Sequence, residues 1–220
     1  MGDLERRRLR EAGELRVLAH PLRIRIVQVL HELGSATATE VAEKVDESPA
    51  NCSWHLRQLA KHGFVEETGE RKGRQRPWRP VNAFLEWGRP DEAGDVAAAG
   101  DELNSALLEH EVGGLRSWLA WRRTDPPEWQ DAADFTQCVT WMTADELAEA
   151  NAEIQRVLMR YQGRTADPGG RPEGVRRVRM FAWAVPAAPT TRAERTTRAE
   201  RTTRAERTTR AERTTRAESP

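Results

Sequence analysis

The sequence predicts a mainly α-helical protein in three parts. Apolar residues recur at helical spacing in most segments between glycines and prolines. Two short helices, each with its own start signal, meet across a tight turn near residue 47, and two short strands follow them. We therefore expect a helix-turn-helix domain with a strand pair at residues 12–83, a small α-rich domain with one strand at residues 91–185, and a disordered repeat tail at residues 190–220.

The composition limits the class of protein. The 35 basic and 35 acidic residues cancel, but residues 1–82 carry 15 basic and 12 acidic side chains, whereas residues 83–189 carry 11 and 18. Two cysteines do not indicate a disulfide framework. Since no apolar run approaches the roughly 18 residues that a membrane span needs, we expect a soluble, cytoplasmic protein without a membrane partner.

The first 37 residues predict two helices and a short strand. Leu4 to Leu18 has helical periodicity with a basic start. Pro21, a favourable first helical residue, begins a core helix that ends at Gly34. Ser35–Thr37 is compatible with a short strand.

The next segment predicts two helices across a turn. Thr37-x-x-Glu40 has the spacing of a capping box and opens an amphipathic helix that Asp46 ends. Ser48 is a favourable N-cap for a second helix, with Pro49 in its first position. This is the arrangement of a helix-turn-helix, in which the second helix enters the major groove of DNA.

The second helix has one apolar face and one polar face. Cys52, Leu56 and Leu59 recur at helical spacing, and Gly63 follows as a stop. Asn and Gln side chains can read adenine, and Arg can read guanine or hold a phosphate, although the same pattern also fits a solvent-exposed face. The predicted DNA-binding residues of this helix are Asn51, Ser53, Trp54, Arg57, Gln58 and Lys61.

A basic hairpin is predicted after the second helix. Phe64–Thr68 and Gln75–Val81 have the composition of two strands, and Gly69 and Gly73 permit a turn between them. Such a wing suits contact with phosphates or a narrow minor groove. Its basic residues are Arg71, Lys72, Arg74, Arg76 and Arg79.

Three motifs in order resemble the winged helix-turn-helix of the ArsR-like bacterial transcriptional regulators. They are Leu-Ala-x-Pro-x-Arg over Leu18–Arg23, Ser53-x-His55-Leu56-x-x-Leu59, and Gly-Phe-Val over Gly63–Val65. The resemblance covers Glu14 to Val81, under a third of the chain. It implies a homodimer that binds an inverted repeat in double-stranded DNA, commonly as a repressor, and in some members a release of DNA when a metal binds.

The sequence departs from the metal-sensing members of that family. They carry Cys-x-Cys in the first helix of the motif, whereas Thr39–Val45 contains no cysteine, and His110 stands alone after the wing. Cys52 and His55 lie three residues apart, but tetrahedral zinc needs three or four converging ligands. We therefore predict no metal and no cofactor, with Cys52 buried between helices.

The region after the wing is predicted from helical patterns. Trp87–Pro90 has the composition of a linker, and the helical pattern from Asp91 continues past Gly113–Gly114 until two prolines stop it. Thr143-x-x-Glu146 has the spacing of a second capping box. Gly174–Val185 is predicted as a strand. The N-terminal helix and the helix after the linker are the expected dimer contacts.

The tryptophans of this region allow two interpretations. Large aromatic side chains fill the core of a small domain that has few other large residues, or they line a pocket for a small-molecule effector. Six of the eight tryptophans lie after the wing: Trp87, Trp118, Trp121, Trp129, Trp141 and Trp183.

The repeat tail lacks the residues of a core. TTRAER recurs four times from Thr190 and once more as Thr214–Glu218, with Ala as the single apolar residue of the unit. A chain segment with so little apolar surface is predicted to be disordered.

The sequence favours a DNA-binding transcriptional regulator over an enzyme. It has no phosphate-binding loop, no dinucleotide-binding glycine pattern, no Gly-x-Ser-x-Gly and no His-Glu-x-x-His. We expect a dimeric repressor of the ArsR-like type without the metal-sensing cysteines. The alternative is a ligand-binding or enzymatic module at residues 91–185, with the winged helix used for protein interaction.

Overall fold

The computed structural model of the chain describes residues 5–69, 76–81, 83–88, 92, 94–166 and 169–187. With those gaps, the residues divide into two compact units, one of residues 5–141 and 152–182 and one of residues 142–151 and 183–187. The tip of the predicted wing and the repeat tail lie outside the described residues.

The protein is mainly α-helical, as the sequence predicts. A short 3₁₀ turn at Arg122–Thr124 follows the longest helix. The strands are β1 Glu5–Arg8, β2 Val65–Glu67, β3 Trp78–Pro80 and β4 Ala83–Glu86, and the helices are α1 Ala12–Leu18, α2 Pro21–Leu33, α3 Ala38–Val45, α4 Pro49–Lys61, α5 Asp95–Trp121, α6 Pro127–Ala132, α7 Ala144–Met159 and α8 Gly163–Ala166.

The boundaries of α2 to α4 follow the predicted start and stop signals. Pro21 begins α2, and Gly34 follows it with φ 76°, a left-handed value that glycine adopts without a Cβ clash. Thr37 and Glu40 form the predicted capping box of α3, since each side chain accepts a hydrogen bond from the other residue's backbone N–H. These helices therefore begin and end where local hydrogen bonding dictates.

One hydrophobic core joins these helices. Leu30 of α2, Val41 of α3 and Leu56 of α4 are all fully buried. The core continues into α5 through Ala99 and Leu103, and α5 packs mainly against α1. Dimer contact by α1 and α5, and the proposed division between residues 83 and 91, remain predictions.

The predicted helix from Leu4 to Leu18 is wrong in its first half. Glu5–Arg8 forms β1, which pairs in parallel with β4, and the helix begins only at Ala12. The ladder extends through the Leu9 N–H, which donates to the Glu86 carbonyl at 2.9 Å, and the Leu9 side chain is fully buried. A long-range ladder and burial thus outweigh the local helical pattern, and β4 itself was not predicted.

The hairpin after α4 confirms the two predicted strands in shortened form. β2 and β3 are antiparallel, with Val65 opposite Pro80 and Glu67 opposite Trp78. Ala36 forms a single antiparallel bridge with Trp78, so the predicted strand at Ser35–Thr37 is reduced to one residue pair.

Helix α5 continues through Gly113–Gly114 for 27 residues. A Cβ at Gly114 would lie 2.8 Å from the guanidinium of Arg179, so a larger residue there would displace the end of that flexible side chain. That guanidinium donates to Glu111 at 2.9 Å.

The predicted strand at Gly174–Val185 is wrong. Residues 175–187 are all described and form neither helix nor strand. Val178 in the first unit is 63% exposed, and Trp183 in the second is 66% exposed. An alternating apolar pattern becomes a strand only when another strand supplies hydrogen bonds, and this segment pairs with none of the described strands.

Of the two interpretations of the later tryptophans, core filling holds for Trp87, which packs against the hydrophobic core, and not for the exposed ones. Trp87, Trp118 and Trp129 are half-buried, and the other three are exposed, with Trp141 at 99%. No described helix is long and apolar enough to cross a membrane.

Candidate nucleic-acid interface

The turn between α3 and α4 is set by one residue in the left-handed region. Asp46 has φ 53°, a conformation that Asp tolerates better than most residues. The next backbone N–H, that of Glu47, donates to the Ala42 carbonyl at 3.1 Å, which closes the end of α3. Val45 and Cys52 are buried on the two sides of this turn. The two helices therefore meet as a helix-turn-helix.

The N-terminus of α4 is capped as predicted. The Ser48 hydroxyl oxygen accepts from the Asn51 N–H at 3.2 Å, and Pro49 occupies the first helical position. A Ser cap of this kind contributes about 1 kcal/mol. The start of the candidate recognition helix is thus fixed by its own sequence.

The C-terminus of α4 is held by a residue of β1. The Arg7 guanidinium donates to the carbonyls of His62 at 2.6 Å and Gly63 at 2.8 Å, and to Glu14 at 2.7 Å. It also lies 4.7 Å from the centre of the Phe64 ring. An arginine at a helix C-terminus satisfies unpaired carbonyls and opposes the negative end of the helix dipole. This anchor was not predicted, because Arg7 lies 55 residues from His62.

The structure places all six predicted residues of α4 on the side of the helix away from the core. Cys52, Leu56 and Leu59 are fully buried, as predicted. The six are exposed or half-buried: Asn51, Ser53, Trp54, Arg57, Gln58 and Lys61.

Two hydrogen bonds organise this exposed face. Arg57 donates to the Ser53 hydroxyl at 2.9 Å, one helical turn away. The Asn51 side-chain amide donates to the Glu47 carboxylate at 3.0 Å. Glu47 was predicted only as part of the turn, and its role here depends on side-chain directions that spacing alone does not give.

A cluster of cationic and aromatic side chains lies beside the exposed face of α4. His55 is 4% exposed, and its Nδ1 accepts from Arg23 Nε at 3.1 Å. The His55 ring meets the Trp54 ring edge-on at 4.7 Å, and the Arg23 guanidinium carbon lies 5.4 Å from the Trp54 ring centre. These contacts fix an indole that is 49% exposed.

His20 joins this cluster from the start of α2. Its ring centre lies 4.7 Å from that of His55, and its Nδ1 accepts from the Leu22 N–H at 3.2 Å. Burial lowers the pKa of both histidines, and the charge of Arg23 lowers each pKa further. The two Nδ1 atoms are hydrogen-bond acceptors, so the structure requires both of them unprotonated.

The described part of the wing carries paired arginines. Arg79 of β3 donates to Glu66 at 2.8 Å, and Arg76, just before β3, donates to Glu67 at 3.1 Å. Both glutamates belong to β2. Both pairs are exposed, and exposed pairs of this kind are worth at most about 1 kcal/mol. The three other predicted wing residues, Arg71, Lys72 and Arg74, lie outside the described residues.

The chemistry of Cys52 is that of a buried thiol. Burial raises its pKa, which disfavours the thiolate that metals bind. Among the described residues, no group of three or more His, Cys, Asp or Glu side chains is placed to hold a metal ion.

Comparison with known proteins identifies the same segment. The sequence model of a helix-turn-helix domain matches residues 18–68, which span α2, α3, α4 and β2. A solved structure of wild-type ZitR from Lactococcus lactis in complex with DNA is similar at 16% identity over 70% of this chain and 80% of that chain, with a TM-score of 0.26. No curated protein matches the chain.

The chain therefore contains a helix-turn-helix domain at residues 18–68, with α4 as its second helix. The matched segment includes α4, the helix whose exposed face carries the six candidate DNA-binding residues.

Proposed function

We propose that this protein is a sequence-specific, DNA-binding transcriptional regulator of the ArsR-like type, acting as a homodimeric repressor. The exposed face of α4 carries the proposal, because a capped helix presents amide, indole and basic side chains opposite a fully buried apolar face. In a helix-turn-helix the second helix enters the major groove and the first crosses the backbone.

The residues of α4 divide into two roles. Arg57 and Lys61 hold phosphates, while Asn51, Trp54 and Gln58 face base edges. Ser53 positions Arg57 through their 2.9 Å hydrogen bond. The Ser48 cap and the Arg7 anchor hold both ends of the helix, which supports recognition by a rigid element.

The basic residues of the wing contact the DNA backbone beside the major groove. Arg71, Lys72, Arg74 and Arg76 supply this contact, and Arg76 exchanges its Glu67 partner for a phosphate. Such an exchange costs little because the existing pair is exposed and screened by solvent.

A homodimer presents two copies of α4 to one face of DNA. The half-sites then lie about one helical turn, ~34 Å, apart, and the operator is palindromic. In this proposal α1 and α5 provide the dimer contact, and any small-molecule effector binds outside the helix-turn-helix.

The first experiment is binding of the purified protein to DNA upstream of its own gene as salt is raised, with and without a chelator. We expect specific, salt-dependent and chelator-insensitive binding. Arg74→Ala should weaken all sequences similarly and flatten the slope of log K against log salt by up to ~0.9 per lost phosphate contact.

Arg156→Ala is the matched control for that variant. Arg156 is an arginine of α7 with a 74% exposed side chain, paired with Glu153 at 3.4 Å. It should leave the salt slope unchanged. An unchanged slope in Arg74→Ala would argue against the wing contact, and binding that ignores sequence at every salt concentration would overturn the proposed function.

The alternative, an independent ligand-binding or enzymatic module at residues 91–185, has less support. Ala99, Gly100 and Leu103 are buried, but they belong to α5 where it packs against α1. Among the described residues after Leu103, none is buried. A separate module needs a core of its own.

A further inference from the structure

Glu47 is an acidic residue on the surface that should approach DNA. It lies immediately before the Ser48 cap of α4, at the end of the helix that reaches deepest into the major groove. A carboxylate there repels phosphates, which weakens DNA binding unless another contribution of the residue offsets the loss. Its carboxylate oxygen lies 3.0 Å from the Asn51 side-chain nitrogen, a normal hydrogen-bond distance.

The backbone of both residues is fixed by the same turn. The Glu47 N–H donates to the Ala42 carbonyl, and the Asn51 N–H donates to the Ser48 hydroxyl. The side-chain bond between Glu47 and Asn51 therefore joins two residues whose Cα positions are already set. Only the side-chain torsions remain to be restricted by it.

The hydrogen bond selects one orientation of the Asn51 amide. An amide nitrogen has two hydrogens and a carboxylate has only acceptors. Rotation of the amide by 180° would direct Asn51 Oδ1 at the Glu47 carboxylate, so that two acceptors would face each other. The bonded orientation leaves one N–H and the carbonyl oxygen of Asn51 for another partner.

That remaining pair matches the major-groove edge of adenine. Adenine presents the N7 acceptor beside the N6 amino donor, and an Asn side chain binds both at once. We propose that Glu47 is a specificity-determining residue that positions Asn51 to read an adenine, an inference that rests on the proposed function. Glu47 affects base discrimination through Asn51, while its charge repels phosphates whatever the sequence.

The test is a base-by-base binding profile of the full chain. A preferred site is selected from random DNA with the wild-type protein, and each base pair is then replaced singly. Asn51→Ala should lose discrimination at one A·T pair by about 5- to 150-fold. Glu47→Ala should lose about 2- to 12-fold at the same pair, which is the cost of ordering one free side chain.

Two further variants separate positioning from charge. Glu47→Gln keeps a carbonyl oxygen that accepts from Asn51, so it should keep the adenine preference while binding all sequences more tightly. The double variant Glu47→Ala, Asn51→Ala should discriminate no worse than Asn51→Ala alone, because the effect of Glu47 on discrimination passes through Asn51.

Glu43→Ala is the matched control, since Glu43 is an exposed carboxylate of α3 four residues earlier. It should leave the base profile unchanged. In the free protein, the NMR signals of the Asn51 side-chain amide should shift in Glu47→Ala and remain in place in Glu43→Ala.

Failure of the proposed function and failure of the Glu47 inference give different results. Failure of the wild-type protein to prefer any sequence would overturn the proposed function and this inference together. If the wild type is selective, the inference fails when Glu47→Ala changes discrimination at a different base pair, or when it changes affinity for all sequences equally and leaves discrimination unaltered. It also fails when the Asn51 amide signals do not move.

Discussion

Helices α3 and α7 begin with nearly the same capping box but differ in what they bury. Glu40 accepts from the Thr37 N–H at 2.8 Å and Glu146 accepts from the Thr143 N–H at 2.7 Å. The reciprocal bonds to the threonine hydroxyls are 3.3 and 3.2 Å. Yet α3 buries Val41, Ala42 and Val45, whereas α7 buries no residue.

The difference shows that a sequence can specify a helix without giving that helix a core to pack against. A capping box satisfies backbone donors within one turn, wherever that turn lies. Stabilisation by burial, about 25 cal/mol per Å² of apolar surface, requires a second apolar surface opposite the first. All buried hydrophobic residues that the structure describes lie between Leu9 and Leu103. Global stability should therefore respond to changes before residue 104 far more than to changes after it.

The largest expected effect is that of removing a core side chain from α4. Leu56 is fully buried, so Leu56→Ala should lower the free energy of unfolding by about 2–5 kcal/mol. Val157 of α7 is 43% exposed, and Val157→Ala should change it by less than about 0.5 kcal/mol. Urea unfolding followed by circular dichroism measures both. Equal losses in the two variants would show that α7 belongs to the same cooperative core.

A smaller effect is expected from removing each cap. Thr37 is 5% exposed and begins a packed helix, so Thr37→Ala should cost about 1 kcal/mol of global stability. Thr143→Ala removes the equivalent bonds but should lower the global free energy of unfolding by less than about 0.5 kcal/mol. It should instead raise amide hydrogen exchange in the first turn of α7. A matching global loss in Thr143→Ala would contradict the comparison.

The smallest expected effect is the pH dependence of stability that the histidines cause. Burial lowers the pKa of His55, and charge on the neighbouring His20 and Arg23 lowers it further. The negative charge of Glu47 opposes this by raising the pKa of His55. Burial and Arg23 likewise lower the pKa of His20, whose exposed ring limits the size of the effect. Burial also lowers the pKa of His31 and of His110, so His55 accounts for only part of the pH dependence.

The sign follows from proton binding. A histidine with a lowered pKa binds fewer protons folded than unfolded, so its stabilising contribution is complete above the ordinary pKa of about 6.5. That contribution is lost as the pH falls through the lowered folded pKa. Stability of the wild-type protein should therefore decrease between about pH 7 and pH 5, and by less in His55→Gln, whose amide oxygen accepts from Arg23 without titrating. A stability that is flat in pH, or that rises on acidification, would contradict the neutral assignment of this pair.

The boundaries of α2, α3 and α4 were predictable because their causes are local. Ser48 with Pro49, Thr37 with Glu40, and Gly34 each act within four residues of the boundary that they set. The buried face of α4 was predictable for the same reason, since helical spacing alone places Cys52, Leu56 and Leu59 together. Periodicity also placed the six candidate DNA-binding residues on the opposite side.

The partners of the candidate site were not predictable from spacing. Arg7 reaches the end of α4 from 55 residues away, and Arg23 reaches His55 from 32 residues away. Glu47 is close in sequence to Asn51, but which rotamers bring the two side chains together depends on the left-handed turn at Asp46. These contacts decide how α4 is held and how its side chains are directed.

The amino-acid sequence by itself determined where α2, α3, α4 and α7 begin and which face of α4 is apolar, because these depend on hydrogen bonds and spacing within a few residues. The tertiary structure decided which patterns gained a partner. Glu5–Arg8 became a strand because β4 supplies a ladder for it, whereas Gly174–Val185, with a stronger strand pattern, pairs with none of the described strands. Strand pairing and burial are properties of two surfaces that meet, and a local pattern describes only one of them.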